Sequence, residues 1–243
     1  MPRNPWTPTA LDNPWTRLDD PATSGTKHPM NDDKLSARRR QTRSTLVEAG
    51  ISVFAVKGID GASIEEICEA AGFTRGAFYS NFSGRDELIL ATIESRTSHD
   101  LDMLDATIER WRDRLSCGQP GDLEGFLTEF ITDTFSQKVV TAAEVIAEHE
   151  IELYCLRTPG LYPRYAELSS YQIERIQSLI ENAIGFAEAA ATIPLPDLIS
   201  ALTAIHSQAA LRAAAGKRLH EKVEIDPTQM VRILARLLDF DRD

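Results

Sequence analysis

From about residue 34 onward, apolar residues of this 243-residue chain recur every three or four positions, the spacing of one helical face. Leu46, Gly50, Val53 and Phe54 set the first such stripe, and Gly58 after Lys57 stands where a C-terminal cap belongs. Ser63-Ile64-Glu65-Glu66 reads as a capping box that opens a short helix with Ile64, Ile67 and Cys68 inward, ended by Gly72. Thr74 caps another short helix running through Asn81, and Ser83-Gly84-Arg85-Asp86 starts a long one. That helix keeps its register through Leu101, Leu104, Ile108, Trp111 and Leu115 until Gly118, Pro120 and Gly121 break it. Further helices are expected near 122–140, 143–157, 160–189, 195–219 and 227–240, with Pro159, Pro194, Pro196 and Pro227 at the junctions. No alternating pattern of useful length marks a strand, so the expected fold class is all-α.

Residues 1–33 are rich in Pro, Asn, Asp and Thr, lack apolar periodicity, and are expected to be disordered. Asn4-Pro5-Trp6-Thr7 recurs as Asn13-Pro14-Trp15-Thr16. Two tryptophans in a polar tail are unusual. The tail reads as an upstream extension, with Met30 an equally good start; the alternative is a short linear motif that recruits a partner. The expected organisation is a tail at 1–33, a small helical domain at 34–84 and a larger one at 85–243.

No stretch approaches the roughly 20 apolar residues that span a bilayer, and the N-terminus lacks the basic start and apolar run of a signal peptide. The cytoplasm is the expected compartment, without a membrane partner. Cys68, Cys117 and Cys155 are odd in number and lack metal-ligand spacing, which suggests free thiols. A net charge of -11 argues at first against nucleic acid, but the charge is uneven. Residues 30–90 carry 8 Lys and Arg against 9 Asp and Glu, whereas 91–243 carry 15 against 25. A local basic patch decides the matter for DNA, and Arg38, Arg39, Arg40 and Arg43 supply one.

A helix, a short capped helix, a tight turn at Gly72 and a second short helix form the layout of a helix-turn-helix. Gly72 allows the sharp turn, and Phe73 fills the gap between the helices. Thr74 leaves the next helix N-terminus pointing at a phosphate or base edge. Gly76 and Ala77 are small where a helix presses on a groove floor, and the Tyr79 hydroxyl can reach a phosphate. Phe78 and Phe82 fall opposite and anchor the helix to Phe54 and Leu88.

The run Phe54-Ala55-Val56-Lys57-Gly58, then Ser63 through Phe82, then Arg85-Asp86-Glu87-Leu88 resembles the DNA-binding domain of TetR-family regulators over about residues 38–90. Gly50 and Cys68 stand where that family usually has alanine, and Gly50 weakens its helix by ~1 kcal/mol relative to Ala. Arg85 replaces the usual lysine. The resemblance implies that Arg75, Gly76, Ala77 and Tyr79 lie on a recognition helix, with Arg75 aimed at a guanine edge. It implies phosphate contacts from Ser63, Thr74, Tyr79 and Arg85, and an approach of Arg38, Arg39, Arg40 and Arg43 to the backbone or minor groove. It further implies a homodimer on a near-palindromic double-stranded operator and a small-molecule effector bound in the larger domain.

That domain is less legible. Leu198, Leu202, Ile205 and Ala209 form one stripe, and Met230, Ile233, Leu234 and Leu237 another; either could face a partner or an internal core. Ile146, His149, Leu153 and Leu156 share one face of the 143–157 helix, with Tyr154 beside them. With Trp111, Phe130 and Tyr171, His149 and Tyr154 are the expected ligand contacts, in a mostly apolar cavity with few polar groups. His149 is either a polar handle for the ligand or a core histidine bonded to a carbonyl. His149-Glu150 lacks zinc-protease spacing, and no phosphate loop, nucleophile elbow or Rossmann glycine pattern occurs, so neither catalysis, cofactor nor metal is expected. The rival reading is an interaction protein that recruits a partner through its tryptophan-bearing tail.

Overall fold

The computed structural model describes residues 29–117, 122–136, 140–187 and 189–239. The chain divides into two compact units, Met1–Arg38 and Arg39–Asp243. The repeated tail tetrapeptide lies outside the described residues. Helix α1 (Pro29–Gly61) begins five residues before the expected Lys34. Proline suits the first helical turn, where its missing N–H is not needed. Helical geometry is interrupted at Gly58, whose φ of 67° and ψ of 171° form an extended conformation open to glycine alone, a kink and not the expected left-handed cap.

Local chemistry accounts for the boundaries of the next three helices. Helix α2 (Ile64–Ala71) opens on the expected capping box: Glu66 N–H donates to Ser63 Oγ at 3.2 Å, and Ser63 N–H donates to Glu66 Oε2 at 3.1 Å. Gly72 ends it at φ 68°, and Phe73 N–H returns to the Cys68 carbonyl. Helix α3 (Arg75–Tyr79) starts with Ala77 N–H donating to Thr74 Oγ1 at 3.2 Å. It stops at Tyr79 rather than continuing to Asn81. Helix α4 (Arg85–Leu115) has no side-chain cap; Glu87 instead accepts the Ser83 N–H at 2.7 Å.

Leu46, Phe54, Ile59, Ile67, Phe78, Phe82 and Leu88 are fully buried in one cluster, with Phe73 half-buried against it. The expected anchoring of Phe78 and Phe82 near Phe54 and Leu88 is therefore seen. The cluster does not end at residue 84. It takes in Ile89 and Ala91 of α4, and Ala147, Ile151 and Cys155 of helix α6 (Ala142–Arg157).

The remaining helices are α5 (Leu123–Ser136), α7 (Tyr162–Phe186), α8 (Leu195–Ala214) and α9 (Thr228–Leu237). Leu101, Ile108, Trp111 and Leu115 of α4 pack on Leu179 and Ala183 of α7. Leu127 and Ile131 of α5 meet Met230 and Val231 of α9. Helix α8 ends five residues early, because the chain leaves it at Ala215 and Gly216 adopts φ 75°. Two short strands, β1 (Ala190–Ala191) and β2 (Leu238–Asp239), pair antiparallel, too short to leave an alternating pattern.

Packing also corrects the expected face of α6. The buried residues of α6 are Ala142, Val145, Ala147, Ile151 and Cys155, whereas Leu153 and Leu156, expected inward with Ile146 and His149, are 49% and 52% exposed. Small alanines let α6 approach its neighbours on the other face. Of the two stripes on α8 and α9, Leu198 and Met230 are buried within the chain, and Leu202, Ile205 and Leu234 pack onto the α5–α9 cluster.

Gly72 and Gly50 predict different results. Gly72→Ala should lower unfolding free energy by ~1–2 kcal/mol, since a β-carbon is disfavoured at φ 68° even in open space. Gly50→Ala should change it by less than ~1 kcal/mol, because the gain in helix propensity is offset by a β-carbon 3.2 Å from Leu88 Cδ2. Urea titrations of both variants measure this. The capping box carries a pH signature. Lys57, then the Ser63 backbone and hydroxyl, hold the Glu66 carboxyl at about 2 instead of its ordinary 4.5. A depressed carboxyl stabilises the fold above its unfolded value and loses that contribution as pH falls through the folded one. Glu66→Gln should therefore flatten the acid limb of the stability profile between pH 4.5 and about 2.

Candidate nucleic-acid interface

The five residues of α3 present two unlike sides. Phe78 is buried beneath the helix and touches Tyr79 and Phe82 edge-on or tilted, at ring distances of 5.4 and 5.6 Å. Thr74, Arg75, Gly76 and Tyr79 are exposed, with Ala77 half-buried between them. The Thr74 cap uses its hydroxyl on Ala77, leaving the backbone N–H of Arg75 and Gly76 at an open helix terminus. The side chains singled out for a groove thus share one exposed surface, and the aromatic beneath them is the anchor.

The arginines are already engaged. Arg75 forms an ion pair with Glu65 and lies 5.9 Å from the Tyr79 ring centre. Tyr79 and then Glu65 stabilise its charge further and raise its pKa. Arg43 donates to the Asn81 carbonyl, stacks 4.2 Å over Phe82 and stands 3.6 Å from Glu87. Arg85 is half-buried and donates to the Ile59 carbonyl, closing the end of α1 against the start of α4. Arg39 reaches the Ser80 carbonyl at 3.5 Å, the outer limit of a hydrogen bond. Arg40 is exposed, as is Arg38, the last residue of the first unit. Ser63 is the α2 cap. Glu65 was missed by the reading of the sequence, although an acidic residue in the first turn of the preceding helix was its available signal.

The five expected ligand contacts are not brought to one place. Trp111 and Phe130 do touch, edge to face at 5.5 Å, and the Trp111 indole N–H donates to Asp133 at 2.8 Å. They belong to the packed cluster between α4 and α5. His149 bridges α6 and α8: Nδ1 donates to the Val145 carbonyl at 2.8 Å, and Nε2 meets Ser207 Oγ at 2.9 Å. Tyr154 donates its hydroxyl to Asp86 at 3.2 Å, at the first turn of α4. Tyr171 is 53% exposed on α7. A cavity of about 470 Å³ is lined by Glu124, Arg232, Ile233, Arg236 and Leu237, and one of about 360 Å³ opens beside β1; neither holds any of the five.

Polar links join α6 to α4 and α1. Arg96 of α4 donates to the Glu144 carbonyl at 3.1 Å and to Glu148 at 2.7 Å. The Glu150 carboxylate lies against Gly58, where a β-carbon would stand 3.4 Å from its oxygen. Among the described residues, no helix is long and apolar enough to cross a membrane.

Residues 46–92 match the family of bacterial regulatory proteins, tetR family. Over 70 residues the chain is 36% identical to the HTH-type transcriptional regulator TtgW of Pseudomonas putida, a match spanning 29% of this chain and 52% of that protein. The chain thus covers about half of TtgW's length. Among solved structures, a TetR-family transcriptional regulator from Rhodococcus sp. aligns with TM-score 0.57 at 16% identity, over 82% of this chain and 98% of that one. The transcriptional regulator FadR from Bacillus subtilis, crystallised with stearoyl-CoA, aligns with TM-score 0.55 at 13% identity, over 79% and 96%. These two likenesses extend the shared helical fold well beyond the matched N-terminal segment. The helix-turn-helix built on Gly72, Thr74 and Phe78 lies within residues 46–92, the segment over which this chain is similar to the tetR family of bacterial regulatory proteins.

Proposed function

We propose that the protein is a DNA-binding transcriptional regulator, a repressor that leaves its operator when a small molecule binds the larger domain. One observation carries this reading: α3 buries Phe78 and turns Thr74, Arg75, Gly76 and Tyr79 outward around an open helix N-terminus. A surface of that shape suits the major groove, where a guanidinium pairs with guanine O6 and N7. Arg75, Gly76, Ala77 and Tyr79 are the proposed base-side residues. Ser63, Thr74, Tyr79 and Arg85, with Arg38, Arg39, Arg40 and Arg43, are the proposed backbone contacts. Residues 34–84 are proposed as the DNA-binding domain and 85–243 as the sensing and dimerising one.

One recognition helix per chain calls for a second protomer, with half-sites about 34 Å apart or a multiple of that. The outward side of α8, with Ser200, Ala204, Gln208 and Leu211 exposed, is available to a partner. Structures of the same fold solved with a bound small molecule, such as FadR with stearoyl-CoA, support an effector of some kind. Of the residues proposed to contact it, His149 and Tyr154 share α6, and Tyr154 also touches the first turn of α4.

Selection of a duplex from a random library by the wild-type chain tests the reading. An enriched, near-palindromic sequence carrying two protomers by sedimentation is expected. Arg75→Ala should lose roughly five- to a hundredfold of sequence discrimination, whereas Arg85→Ala should weaken enriched and random duplex alike. No enrichment would overturn the proposal.

His149 separates two roles in one preparation. Replacing it with Ala removes the α6–α8 bond and leaves Ser207 without its partner, so stability should fall by ~1–3 kcal/mol. If it also contacts the effector, ligand-driven release from the selected duplex should need a much higher ligand concentration. A lowered melting temperature with an unaltered release curve would assign His149 to the core alone.

A further inference from the structure

We propose that Glu65 is a positioning residue for the DNA interface: it holds the Arg75 guanidinium so that the group can meet a guanine edge but not a phosphate. This rests on the proposed DNA-binding function.

The observation is the Glu65–Arg75 ion pair, made by side chains 55% and 59% exposed on the surface that would face DNA. Exposed pairs of this kind contribute little to stability, so folding does not account for it. Glu65 sits in the first turn of α2, where the helix N-terminus favours a carboxylate. Its neighbour Glu66 is occupied by Lys57 and by the Ser63 cap, which leaves Glu65 to face Arg75. The Tyr79 ring flanks the same guanidinium, so Arg75 is held from two sides at the first position of α3.

A guanidinium carries five N–H donors in a rigid fork. Two can engage guanine O6 and N7 while another still reaches Glu65, so base readout keeps the pair. The carboxylate can also accept from a cytosine amino group in the groove. A phosphate contact works differently. Swinging Arg75 onto the backbone exchanges one anion for another and leaves Glu65 unpaired beside a polyanion. Random sequence, which offers chiefly phosphates, therefore gains nothing from Arg75 while Glu65 is present.

The test uses the full chain, the duplex that wild type enriches from a random library, and a scrambled duplex of equal length. Glu65→Gln should bind the scrambled duplex more tightly, with the salt slope steeper by about 1, which is up to about eightfold at 0.1 M relative to 1 M salt. The enriched duplex should gain less, so the ratio of the two affinities falls. In an Arg75→Ala background the substitution should have no such effect. Glu65→Asp, which keeps the charge but shortens the reach, should also lose discrimination, and it serves if Glu65→Gln does not fold. Equal gains on both duplexes, an effect undiminished in Arg75→Ala, or unchanged discrimination in both Glu65 variants would each overturn the proposal. If wild type enriches no sequence, the DNA-binding reading fails first and this one with it.

Discussion

A helix of five residues cannot sustain itself in water, because nucleation fixes several dihedrals for one or two hydrogen bonds. Helix α3 exists because Phe78 and Phe82 are buried against Phe54 and Leu88. The rest of the candidate interface depends on that contact. It sets the rotation of α3, and the rotation decides that Arg75 and Tyr79 face outward while Phe78 does not. Gly72 and the Thr74 cap make the geometry accessible, but the aromatic cluster selects it.

The same cluster reaches beyond the helix-turn-helix into α6. Ile151 and Cys155 of α6 lie in it, and Tyr154, Glu150 and the Arg96–Glu148 pair surround it with polar contacts to α1 and α4. Helix α6 is thus packed into the base of the helix-turn-helix, and its own start is held by backbone bonds to the α8–α9 connection at Leu219 and Glu221. Burial pushes the Cys155 thiol up to about 11, which makes it a packing group and an unreactive one. A rearrangement of α8 or α6 would therefore be felt where α3 is supported.

The basic residues divide by what they touch. Arg43 and Arg85 bind backbone carbonyls and tie the first helix to α3 and α4, so their loss would disturb the shape of the interface as well as its charge. Arg75 is paired with a carboxylate on the surface instead. A strongly acidic chain can present such a surface because its negative charge is concentrated beyond residue 90.

The amino-acid sequence by itself determined the punctuation of the fold. Gly72, the Ser63–Glu66 box and Thr74 act through bonds to residues within a turn, so their effect is written locally. The equivalent Thr141–Glu144 box that opens α6 was just as legible and went unread. Periodicity likewise placed every long helix to within a few residues. What only the tertiary structure decided was which face each helix turns inward and which side chains meet across it. Leu153 and Leu156 look apolar enough to be core, yet α6 buries Ala142 and Ala147 instead, because close approach to α8 favours small residues. The meetings of Arg75 with Glu65, Arg85 with Ile59 and Tyr154 with Asp86 join different elements. Their partners are chosen by how rigid helices pack, and no spacing along the chain encodes that choice.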